Sequence, residues 1–209
     1  MFLDRQEAGR KLAEKLKPYQ SENPIILALP RGGVPIGYEI AQALRAPLDV
    51  FMVRKIGYPW NPEFAIGAIA PGVQIFDEES LYPLGLTKAD LKEAIEKEQQ
   101  ELERRLTLYH KKGSLPDVAG KTVILVDDGL ATGLTTRAAI EGVKKLKPAK
   151  LILAVPVGPP ETVHALRKLV DDLICLETPH DFFAVSSFYQ NFPQVSDEEV
   201  MDLLHRNED

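Results

Sequence analysis

Residues 121–136 read KTVILVDDGLATGLTT, and the order of residue types in this stretch decides the fold class. Val123-Ile124-Leu125-Val126 is a short apolar run rich in β-branched residues, the pattern of a strand buried on both faces of a parallel sheet. Asp127 and Asp128 follow at once. Next comes a small-residue turn with Gly129 and Gly133 that carries Thr132, Thr135 and Thr136, and a helix-like segment starts near Thr135. Small residues let backbone N–H groups approach an anion, and a helix N-terminus adds partial positive charge. Threonine hydroxyls bond phosphate oxygens. The two carboxylates suit either a pair of vicinal hydroxyls or a hydrated Mg2+. A phosphate binder beside a diol binder describes a cradle for ribose 5-phosphate.

Working outward, Ile25–Leu29 is a second apolar strand, and it runs into Pro30-Arg31-Gly32-Gly33. The glycines permit close backbone approach, and Arg31 offers a planar fork to a phosphate group. The plainer alternative for Arg31 is a surface charge at a turn. Leu48–Val53 is the next strand; it ends in Arg54 and Lys55, at the carboxyl edge where open α/β sheets hold ligands. Two ordinary surface cations are the alternative. Gly57 to Glu63 has the composition of a loop, in which Trp60 is either part of a lid or a hydrophobic pin.

VILVDDGLATG resembles the phosphoribosyl pyrophosphate (PRPP) signature of the type I phosphoribosyltransferases, and PRGG resembles that family's pyrophosphate loop. The motifs stand in the family's order, each at a strand end, and the resemblance covers about residues 25–176. It implies an α/β fold with a doubly wound, mainly parallel sheet in the core order 2-1-3-4-5. The implied reaction is transfer of a 5-phosphoribosyl group from PRPP to an acceptor nitrogen, with release of pyrophosphate and with Mg2+ as cofactor. Asp127, Asp128, Arg31 and Lys55 are then the catalytic residues. The two aspartates hold the ribose hydroxyls, directly or through the metal's water. Gly129, Ala131, Thr132, Gly133, Leu134 and Thr135 complete the 5-phosphate cradle. Pro30, Arg31, Gly32 and Gly33, with Arg54 and Lys55, take the pyrophosphate, and the Pro30–Arg31 bond is where the family carries a cis peptide. In the 6-oxopurine branch the position of Ala131 is an acid serving the base nitrogen. Alanine cannot transfer a proton, which argues against hypoxanthine or guanine as acceptor. A regulator that senses PRPP or a nucleotide through the same cradle is the alternative, and a phosphate-sugar binder outside this family is a third reading.

The rest of the chain frames this core. A length of 209 residues with 44% hydrophobic and 27% charged residues fits one soluble domain. It would consist of the core, an insertion over 77–118 and a tail over 177–209. The net charge of −6 argues against nucleic acid as a partner. No run has the length of a signal peptide core or a membrane span, so a cytoplasmic protein, and a homodimer, are expected. Cys175, the only cysteine, lies in a strand-like run and reads as a buried structural thiol. Asp4 and Glu7 open an amphipathic helix ending near Pro18. Thr87 and Asp90 open a long charged helix ending near Gly113. Helices are also expected over Val34–Leu44, Thr136–Leu146, from Pro160, and over Asp197–His205. Strands are expected over Phe64–Ala70, Val73–Phe76, Lys150–Val155 and Leu173–Leu176. The tail is rich in aromatics: Phe182 and Tyr189 can stack an acceptor base, or the aromatics can fold the tail onto the core.

Overall fold

The computed structural model describes residues 1–87, 89–110 and 116–208. In chain order these form α1 (Arg5–Leu16), β1 (Ile25–Ala28), α2 (Gly33–Leu44), β2 (Leu48–Val50), β3 (Arg54–Tyr58), β4 (Asn61–Ala70), β5 (Val73–Phe76), α3 (Glu78–Leu84) and α4 (Lys92–Tyr109). They continue with β6 (Thr122–Val126), α5 (Leu134–Lys145), β7 (Lys150–Val157), α6 (Pro160–Arg167), β8 (Asp172–Glu177) and α7 (Asp197–Glu208). Two compact units divide these elements. The first takes Met1–Phe51, Pro116–Gly133 and Leu146–Asp209; the second takes Met52–Leu115 and Leu134–Lys145.

In the first unit, five parallel strands run in the order β2-β1-β6-β7-β8. This is the 2-1-3-4-5 order, with the reversal between β1 and β6. Every residue of β6 is buried, as expected for the middle strand of a sheet covered on both faces. The core gathers Ile26, Ile124, Val126, Ile152 and Ala154 from the strands with Leu12, Leu16, Ile36 and Ile40 from α1 and α2. α1 begins where Asp4 Oδ1 accepts the Glu7 amide at 2.8 Å. β7 runs on through Pro156, where the sequence expects a connection: Val155 and Val157 both pair with β8 around it. The N-terminal arm and the tail are joined, because Phe2 donates its amide to Phe188 and accepts from Gln190, at 2.7 and 2.8 Å.

The second unit is a three-stranded antiparallel sheet in the order β3-β4-β5, with α4 and α5 packed on it. Here the structure corrects the sequence reading. β2 stops at Val50, and Arg54 and Lys55 do not end it. They open β3, where Arg54 pairs with Ile69 and Lys55 with Ala68. Ile56 is buried in this strand, and the chain turns at Pro59-Trp60 into β4. Composition signals a loop over 57–63 because Gly57, Pro59 and Pro62 fall within it. The contribution of an alternating half-buried strand is hidden behind them. α3 has no counterpart in the sequence reading. Thr87 and Asp90 do bond each other, with Thr87 N and Oγ1 on Asp90 Oδ2 at 2.8 and 2.6 Å, but the regular helix starts only at Lys92. Gly113, its expected end, lies outside the described residues.

Candidate PRPP-type site at the β1–β6 switch point

The site builds from one backbone contact. Val126, the last residue of β6, accepts the Leu29 amide at 2.8 Å, and this holds the ends of β1 and β6 side by side where the topology reverses. Pro30–Gly33 leaves β1 and Asp127-Asp128 leaves β6, so the two motifs face each other across that seam. The glycines are needed for the approach. A Cβ on Gly32 would lie 2.0 Å from Asp128 Oδ2 and 2.6 Å from its Cγ, and one on Gly33 would lie 2.7 Å from the Val126 carbonyl. No L side chain fits there. The Pro30–Arg31 peptide is cis. Arg31 is about one-third exposed, with Nη1 3.7 Å from Asp197 Oδ1.

The two aspartates are held differently. Asp127 Oδ1 accepts the Asp128 amide at 2.8 Å. Asp128 Oδ2 accepts Arg5 Nε at 2.9 Å and lies 2.9 Å from Arg5 Nη2. Among the described residues, no protein donor reaches Asp127 Oδ2 or Asp128 Oδ1. Burial, and after it the Asp128 charge, pushes the Asp127 carboxyl well above its ordinary range. Burial raises Asp128 too, with Arg5 pulling against it.

Gly129–Gly133 is pinned from the β7 side. Leu130 donates its amide to the Val157 carbonyl at 2.8 Å, and Thr162 Oγ1 donates to the Ala131 carbonyl at 3.0 Å. Gly133 turns the chain at φ 79°, a conformation that favours glycine. Among the described residues, no protein acceptor takes the amides of Ala131, Thr132 and Gly133, so three consecutive donors are available to an anion. Leu134 and Thr135, the last two residues of the expected cradle, open α5 in the second unit.

Arg54 and Lys55 belong to the second unit, where Arg54 Nε donates to Glu98 Oε2 at 2.8 Å. Tyr189 is buried. Its hydroxyl donates to the Asp128 carbonyl at 2.6 Å, and its ring packs against Phe2 and Phe192 at centroid distances of 5.5 and 4.9 Å. It therefore supports the acidic pair from below and has no open face for a base. Phe182 stacks on Phe188 at 5.3 Å.

Arg5 is the residue that motif reading misses. Its signal is nonetheless present: Arg5 shares the buried stripe of α1 with Ala8, Gly9, Leu12, Ala13 and Leu16. A cation on an apolar stripe calls for a buried acid as partner.

Known proteins resemble this chain. A family model described as phosphoribosyl transferase domain matches residues 3–191, so the chain belongs to that family. A curated Mycobacterium tuberculosis protein, provisionally named a phosphoribosyl transferase, is 41% identical over 208 residues. The match takes 99% of this chain and 47% of that protein, so the chain spans about half the length of the curated relatives it matches. The crystal structure of TT1426 from Thermus thermophilus superposes with a TM-score of 0.81 at 38% identity, covering 99% of this chain and 98% of that one. A pyrimidine operon regulatory protein of Lactococcus lactis is 62% identical over a short stretch of 42 residues, 20% of this chain and 24% of its own. No helix among the described residues is long and apolar enough to cross a membrane.

Proposed function

We propose that this protein transfers a 5-phosphoribosyl group from PRPP to an acceptor nitrogen and releases pyrophosphate. The observation that carries the reading is the seam itself: Gly32 and Gly33 set an Arg-bearing loop against the Asp127–Asp128 pair at the sheet's switch point. The reaction breaks the C1–O bond through a state with positive charge on the ribose ring, comparable to glycosyl transfer. Asp127 Oδ2 and Asp128 Oδ1 accept the ribose hydroxyls, and their negative charge favours the developing cation. The amides of Ala131, Thr132 and Gly133 take the 5-phosphate. Arg31 and the loop amides take charge on the departing pyrophosphate, a preorganised electrostatic contribution. Lys55 keeps the same assignment from the resemblance alone.

Among the described residues, no group of three or more His, Cys, Asp or Glu side chains is arranged to hold a metal ion. Two hard carboxylate oxygens without a protein donor do fit an Mg2+ that keeps its waters and relies on substrate phosphates. When bound, the ion supplies positive charge to the pyrophosphate oxygens.

Calorimetric titration with PRPP and Mg2+ tests the cradle. The wild type binds, and Asp127→Asn loses about a hundredfold in affinity, the loss of the charge-assisted hydrogen bond that Oδ2 accepts from the ribose. A wild type that does not bind PRPP overturns the reading. The short match to a regulatory protein favours one second reading, a sensor that binds PRPP with negligible release of pyrophosphate.

A further inference from the structure

We infer that Arg5 is a positioning residue of the ribose cradle: it holds one oxygen of Asp128 so that the other is presented to a ribose hydroxyl. The inference rests on the cradle reading above and goes further, since neither the family motifs nor the tail assigns a part to the start of α1.

Arg5 is 6% exposed, and its guanidinium is fully engaged. Nη1 donates to the Pro193 carbonyl at 2.7 Å, and the group lies over the Phe192 ring at 3.7 Å. The remaining two nitrogens, Nε and Nη2, both meet Asp128 Oδ2 at 2.9 Å. Arginine–carboxylate pairs frequently spread the fork over both carboxylate oxygens. Here both donors converge on one, and Oδ1 is left for a ligand. The same Oδ2 of Asp128 lies close against Gly32, where an added Cβ would fall 2.0 Å from it. Tyr189 fixes the backbone of the same residue through its carbonyl at 2.6 Å. A helix N-terminus and the chain's tail therefore meet on a single acid, and what they fix is its orientation.

The test compares binding of ribose 5-phosphate, 2-deoxyribose 5-phosphate and 3-deoxyribose 5-phosphate by calorimetry, with thermal melting as the folding check. Arg5→Lys keeps the cation and removes the planar fork. The inference expects ribose 5-phosphate affinity to fall about tenfold or more. The deoxy compound lacking the hydroxyl that Asp128 accepts falls much less, so discrimination between the sugars collapses. A purely structural arginine lowers all three affinities by the same factor, and that result overturns the inference while leaving the cradle standing. A wild type that binds neither ribose 5-phosphate nor PRPP overturns the cradle, and the inference with it. Should Arg5→Lys fail to fold, Phe192→Leu removes only the ring beneath the guanidinium. It is expected to reduce the same discrimination several-fold, and unchanged discrimination there counts against the inference.

Discussion

Asp127 and Asp128 are neighbours in sequence, yet substitution separates them. Asp127 sits beside another carboxylate in a partly desolvated place, and its folded pKa is raised. A raised acid binds more protons folded than unfolded over the interval between the two values, so its contribution to stability falls as pH rises through that interval. The loss begins near the unfolded carboxylate value of about 3.9 and is complete above the raised folded value. Asp127→Asn removes that cost and keeps an oxygen for the Asp128 amide. It is expected to raise stability at neutral pH by about 1 kcal/mol while PRPP binding is lost, the trade-off of a strained functional group. Asp128→Asn leaves buried Arg5 without its counter-ion and is expected to cost about 3 kcal/mol. Melting curves at pH 7 separate the two, and equal shifts would contradict this division. Gly32→Ala drives a methyl group into Asp128; about 1–3 kcal/mol of destabilisation is expected, together with loss of PRPP affinity. Cys175 is a plainer case. Burial pushes its thiol up to about 11, so at pH 8 about one thiol in a thousand is ionised. Alkylation by iodoacetamide should be slow in the native protein and fast in denaturant.

At the scale of elements, the legible ones are those whose periodicity and caps agree. α1 is marked by Asp4 at its start and an apolar stripe behind it, and its N-cap is made as expected. Asp4→Ala is expected to cost about 1 kcal/mol, a fall of about 2–4 °C in Tm for a chain of this size. An unchanged Tm would mean that packing alone holds the helix start. The β1 and β6 strands and the loops after them are legible because a buried parallel strand followed by glycines has few other uses. β3 is not, since most of its pairing partners, Ala65 and Gly67 to Ile69, come from further along the chain and local composition favours a loop. The Thr87–Asp90 pair makes the local contact that its spacing indicates, but the helix it announces starts further on. Such a pair reports a turn of backbone, and packing sets the register of the helix beyond it.

At the scale of the molecule, the residues proposed for ribose and phosphate are readable in the sequence, and those for an acceptor are not. The cradle uses consecutive residues whose chemistry is local. The aromatics of the tail look equally suited to stack a base, but Tyr189, Phe192, Phe182 and Phe188 are engaged with the N-terminal arm and with one another. Which of two uses a ring has depends on where distant chain ends meet, and here Phe2 is joined to Phe188 and Gln190. The same joining brings Arg5 to Asp128 across 123 residues of sequence, which is why a motif scan passes over it.

The central claim is catalytic transfer, and pyrophosphate release from PRPP and Mg2+ tests it most directly, run against a panel of purine, pyrimidine and related nitrogen acceptors with Asp127→Asn as control. Release is expected to depend on one acceptor in the panel and to disappear in Asp127→Asn. Release that persists undiminished in that variant would contradict the assigned cradle, and PRPP binding without release for any acceptor would contradict the transferase and favour the sensor.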